Sequence, residues 1–99
     1  MNEIKDFTKA AHRLDRHADI DEGDVVTIGG TNWTGLDLRI SVADHIARRY
    51  SAATGFGALR KITTGEVRAM LAAHGMSPFG IRQHARALAT LARNDFARA

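Results

Sequence analysis

A chain of 99 residues with no cysteine must hold itself together by apolar burial alone. At that length one core removes roughly two-thirds of the unfolded surface from water, which suffices for a single domain without disulfides or a structural metal. The same absence excludes thiolate zinc sites and cysteine nucleophiles. The fold then depends on where the apolar residues recur and where turn chemistry interrupts them.

Ile4, Phe7, Ala11, Leu14 and Ala18 return at steps of three and four, which places them on one side of a helix over about 2–18. Residues 19–24, Asp-Ile-Asp-Glu-Gly-Asp, read as a solvated acidic connector. Their glycine and glutamate do not stand where a calcium loop needs them. Residues 25–28 are rich in β-formers, residues 29–35 supply turn types, and residues 36–40 alternate apolar with polar, so a β-hairpin is predicted over about 25–40 with Trp33 in its tip.

Ser41 and Asp44 have the spacing of a capping box and open a helix over 42–53, with Val42, Ile46 and Tyr50 inward. Gly55 and Gly57 end it. Thr63 and Glu66 repeat the box for a helix over 64–74 that stops at His74-Gly75, and Ser77-Pro78 opens a last helix over 78–97. The predicted class is α+β, mostly α: four helices and one β-hairpin in a single domain.

Charge is unevenly placed. Residues 1–44 carry nine acids against five bases, and residues 45–99 carry nine bases against two acids, a net −4 followed by a net +7. A half so poor in acids presents a positive field that concentrates a polyanion. No run of apolar residues is long enough to span a bilayer, and the first residues lack the pattern of a secretory signal, so a cytoplasmic protein is expected.

Residues 66–88 resemble a helix-turn-helix: a short helix, a tight turn at Gly75 and a second helix opened by Ser77. The positions that pack around the turn in that pattern fall on Met70 with Leu71 beside it, His74, Met76, Ile81 and His84. Leu71 stands where the pattern usually has alanine, and His74 and His84 where it has aliphatic residues. The resemblance implies a DNA-binding regulator with the last helix as reader, acting as a homodimer because one helix touches few bases.

On that reading Ser77, Arg82, Gln83 and Arg86 face the nucleic acid, double-stranded DNA in the first instance. Arginine suits the guanine O6 and N7 edge, and glutamine the adenine N6 and N7 edge. Arg93 falls on the same helical face as Arg82, while Arg60, Lys61 and Arg68, with the backbone N–H groups that open each helix, are candidates for phosphate contacts. Phe79 is read as a packing residue.

The competing expectation is a protein-binding adaptor or small inhibitor that docks an acidic protein partner on its basic face, with Trp33 as a partner-binding anchor. An enzyme is not expected. His12, His17, His45, His74 and His84 form no pair three or four residues apart, and neither a nucleophile elbow nor a phosphate-binding loop is present. No cofactor and no metal are expected.

Overall fold

The computed structural model describes residues 6–98, apart from the side chains of Phe56 and of residues 95–98. The elements run in the order α1 (Phe7–Arg16), β1 (Val25–Ile28), β2 (Thr31–Thr34), α2 (Gly35–Thr54), a 3-10 segment (Phe56–Lys61), α3 (Thr64–Ala73) and α4 (Pro78–Arg98). The predicted class, four helices with one antiparallel hairpin, is what forms. The start of the first predicted helix, with Ile4, lies outside the described residues.

Helix α1 opens at Asp6, whose carboxylate accepts from the Thr8 N–H at 2.9 Å. It buries Phe7, Ala10, Ala11 and Leu14 and ends with Arg13 and Arg16 in its last turn, where cations suit the helix dipole. The acidic connector then closes on β1, and Gly29 and Gly30, with φ of 58° and 83°, form the two-residue loop to β2. That loop type requires positive φ at both positions, which glycine adopts without penalty. Pairing runs from Val25 opposite Thr34 to Ile28 opposite Thr31.

The hairpin therefore ends six residues before the predicted limit of 40, and residues 36–40 are helical. Two physical causes decide this. Thr34 and Asp37 form the capping box that opens α2: the Asp37 N–H donates to Thr34 Oγ1 at 2.9 Å, and the Thr34 N–H donates to Asp37 Oδ2 at 2.9 Å. In addition Leu38, Val42 and Ile46 are spaced by four, and as a helix all three are buried. The alternation of Leu36, Leu38 and Ile40 that reads as a strand is the incidental part, since Ile40 is left 38% exposed. The Ser41–Asp44 spacing falls inside α2 and caps nothing.

Gly35 joins hairpin to helix, and its N–H donates to the Asp24 carbonyl at 2.9 Å. A Cβ there would overlap the Asp21 carbonyl oxygen, so only glycine lets the acidic connector pass this close. Helix α2 is central and packs against α1, α4 and the 3-10 segment. That segment follows Gly55, whose φ of 95° reverses the chain, and it delivers Leu59 and Ile62 to the core. The Thr63/Glu66 capping box opens α3, and Gly75, with φ of 85°, turns the chain into α4. One apolar cluster joins Phe7, Leu14, Leu38, Ile46, Leu59, Ile62, Val67, Leu71 and Leu88.

Candidate nucleic-acid interface

Helix α4 divides cleanly between burial and exposure. His84, Ala85, Leu88, Ala89 and Ala92 are buried, whereas Phe79, Arg82, Gln83, Arg86 and Thr90 are exposed. The exposed set falls at steps of three and four, which on a 3.6-residue helix makes one stripe along its first three turns. Among the described residues, no acid pairs with Arg68, Arg82 or Arg86; the ion pairs there are Arg39–Glu22 at 2.8 Å and Arg48–Asp44 at 2.7 Å.

Phe79 is 46% exposed rather than packed in the core. Its ring lies 6.0 Å from the Arg82 guanidinium carbon, a cation–π contact that steadies the arginine without removing it from solvent. Ala69 and Ala72 of α3 and Pro78 and Ile81 of α4 form the apolar floor of a shallow groove of about 510 Å³, with Arg68 on one rim and Arg82 on the other. Residues 14 positions apart in sequence are thus brought to one concavity. Arg60 and Lys61 are exposed on the 3-10 segment, which packs against α4.

Two candidate contacts are engaged within the protein. Ser77 is half-buried: its hydroxyl donates to Asp15 Oδ1 at 2.7 Å, its N–H donates to Asp15 Oδ2 at 3.1 Å, and it accepts from the Gly80 N–H at 3.1 Å. It is the cap that bonds α4 to α1. Arg93 is also half-buried and donates to the Ile62 carbonyl at 2.6 Å and to Thr90 Oγ1 at 3.4 Å, which ties the middle of α4 to the residue just after the 3-10 segment. At 20° from Arg82 on the helical wheel its backbone belongs to the exposed stripe, and it is the hydrogen bond to the Ile62 carbonyl that draws its side chain back onto the protein.

The helix openings are likewise engaged. Asp6 accepts the Thr8 N–H in the first turn of α1, Asp37 and Glu66 accept the cap N–H groups of Thr34 and Thr63, and at α4 Asp15 accepts the Ser77 N–H while Ser77 Oγ accepts the Gly80 N–H. Carboxylates already answer the positive end of each dipole, so the helix openings are not free to bind an anion.

The two histidines that depart from the helix-turn-helix pattern are the clasps of α1. His84 Nδ1 accepts from Arg39 Nε at 2.9 Å and its Nε2–H donates to the Ala18 carbonyl at 2.7 Å. These partners fix the neutral tautomer, and burial, with the Arg39 charge second, holds its pKa below the ordinary histidine value. His74 stacks on Phe7 at 4.2 Å between ring centres and shares a hydrogen bond of 2.9 Å with the Thr8 hydroxyl. Burial and then Arg49 lower its pKa. His84 and its partner Arg39 lie 45 residues apart in sequence, and no local signal announces their contact.

Trp33 sits in β2 opposite Val26, not in the hairpin tip, which Gly29 and Gly30 form. It is half-buried, and Arg13 of α1 lies over its ring at 5.0 Å. Beside it runs a groove of about 360 Å³ whose lining includes Asp37 and the exposed Ile40. Among the described residues no helix is long and apolar enough to cross a membrane, and no group of three metal-ligating side chains converges. No family model, curated protein or solved structure matches the chain.

Proposed function

We propose that this protein binds nucleic acid, as a small DNA-binding regulator with α4 as its reader. The observation that carries the reading is the exposed stripe Phe79, Arg82, Gln83 and Arg86, set on a helix whose other side is fastened in the core. A duplex major groove accepts one α-helix, with the first turns toward the base edges. In that pose Arg82 and Arg86 address guanine, Gln83 addresses adenine and Phe79 meets a thymine methyl, while Arg68, Arg60 and Lys61 flank the helix as phosphate contacts. The Gly75 turn between α3 and α4 supports the helix-turn-helix resemblance, and a homodimer would double the contacts along the duplex.

The test is fluorescence anisotropy with labelled duplexes that differ at single base pairs. Gln83→Ala is expected to leave the salt dependence unchanged and to flatten the preference at one position by about 1–3 kcal/mol, close to 5- to 150-fold. Equal affinity of the wild-type chain for every duplex and for single strands would rule out a reading role for α4.

The groove beside Trp33 favours a second reading, a protein-binding adaptor or small inhibitor. Ile40 at 38% exposure and the indole give that groove an apolar strip, as partner anchors require. The two readings separate by location, because substitutions at Ile40 and at Arg82 affect opposite functions.

A further inference from the structure

The net charge of −4 over residues 1–44 conceals a basic surface. The acids of that half are engaged or remote from α1's outer face: Asp6 caps α1, Asp15 bonds Ser77, Asp37 caps α2, and Glu22 and Asp44 pair with Arg39 and Arg48. The remaining described ones, Asp19, Asp21 and Asp24, belong to the connector beyond the end of α1. The face of α1 opposite Phe7 and Leu14 keeps Lys9, His12, Arg13, Arg16 and His17. These five, with Ile28 of β1, line a concavity of about 280 Å³ that, among the described residues, no carboxylate lines.

Such a face is not what folding alone favours. Lys9 and Arg13 stand four residues apart, and like charges at that spacing destabilise a helix by a few tenths of a kcal/mol. The helix dipole offsets this only for the last turn. Arg13 is moreover held in place by the Trp33 ring at 5.0 Å, so the hairpin forms a wall of the groove and orders one of its cations.

The face also has a fixed relation to α4. A Cβ on Gly75 would come 3.0 Å from His12 Nε2, Asp15 bonds Ser77 at the start of α4, and His84 of α4 bonds the Ala18 carbonyl just after α1. These contacts join α1 to the Gly75 turn and to the buried side of α4, where Gly80 and His84 lie.

We infer that the groove of Lys9, His12, Arg13, Arg16 and His17 is a second phosphate-binding surface, which takes the sugar–phosphate backbone of a nucleic acid. This rests on the reading of the protein as nucleic-acid-binding. Its contacts are to phosphate alone, so it adds affinity for every sequence equally and contributes nothing to base choice.

The experiment is anisotropy of a labelled random-sequence duplex with the full chain across a range of salt, comparing wild type, Lys9→Gln/Arg16→Gln and Arg82→Gln/Arg86→Gln. Lys9 and Arg16 are both exposed, and melting by circular dichroism confirms that each variant is folded. Should the α1 pair disturb folding, Lys9→Gln alone serves. Loss of two phosphate contacts is expected to make log affinity against log salt shallower by about 1.8, and the single variant by about 0.9. An unchanged slope in the α1 variant, with a shallower one in the α4 variant, overturns this inference and leaves α4 as the interface. A shallower slope in the α1 variant alone upholds the groove and removes α4 from the interface. No duplex binding by wild type at low salt overturns both.

Discussion

Helices α1 and α4 both present bases to solvent, and they are attached to the molecule by different forces. Helix α4 packs through Ala85, Leu88, Ala89 and Ala92 against α2 and α3. Helix α1 buries Phe7, Ala10, Ala11 and Leu14, and adds a polar seam at its edges: Thr8 with His74, Asp15 with Ser77, and the Ala18 carbonyl with His84. Apolar packing is non-directional and indifferent to pH. Hydrogen bonds fix the register of α1 against the Gly75 turn, but two of their participants, His74 and His84, can gain a proton.

The largest expected effect lies on the apolar side of this contrast. Leu88 is fully buried, and Leu88→Ala should cost about 2–5 kcal/mol, enough to lower Tm by roughly 10 °C or more in a chain of this size. Leu14, equally buried in α1, is the comparison. With Leu14→Ala, native-state hydrogen exchange is expected to quicken in α1 amides first, while α4 stays protected. Equal acceleration in both helices would mean that they open as one unit, and the contrast would fail.

A smaller effect probes the seam. Asp15→Ala leaves the half-buried Ser77 N–H without its acceptor, at a cost of about 1–3 kcal/mol. Gly80→Ala should act through the same group, since a Cβ at Gly80 would overlap Asp15 Oδ1 and come 3.1 Å from Met76 Cε. Combined in one chain, the two substitutions are expected to cost clearly less than their sum, as measured by denaturant unfolding in a double-mutant cycle. Additive costs would show that Asp15 and Gly80 act separately.

The helices and their caps were legible in the sequence because their signals are local. Thr63, Glu66, Ser77 and the glycine at 75 lie within three or four residues of what they cap or turn. Residues 36–40 misled because a five-residue alternation also fits the first turns of a helix, and the capping box that decides the matter, Thr34 with Asp37, overlaps the supposed turn. The exposed stripe of α4 was readable from spacing. The basic face of α1 was not found by counting charge over half the chain, because that count mixes free bases with acids that are capped or paired elsewhere; the helical wheel of residues 9–17 carries the signal. Arg93 and Ser77 illustrate the opposite failure. Their partners, Ile62 and Asp15, are 31 and 62 residues away, and only the tertiary fold brings them together.

The pH dependence of stability gives the smallest effect per step and the sharpest division between the two helices. Both His84 and His74 have pKa values below the ordinary 6.5. Protonation then favours the unfolded chain, which binds protons that the folded chain refuses. Above about pH 6.5 both states are neutral at these rings and stability is flat. Below it, stability falls as pH falls, by at most about 1.4 kcal/mol per pH unit for each ring. The charges that face His84 are Arg39 of α2 and Asp15 of α1, and Arg39 in turn pairs with Glu22; those facing His74 are Arg49 and His45 of α2 and Asp6. Glu66, whose pKa is lowered chiefly by the Thr63 N–H, loses its contribution only at more acid pH, so urea unfolding between pH 7.5 and 5 isolates the imidazoles. His84→Gln keeps one donor and one acceptor without a titrating group and is expected to make the slope shallower. Both clasps hold α1, so lowering the pH across that window should quicken hydrogen exchange in α1 ahead of α4. Exchange in α4 that rises in step with α1 would show that the seam is not a separate point of release, because the apolar packing of Leu88 would then be yielding at the same proton concentration as the imidazoles.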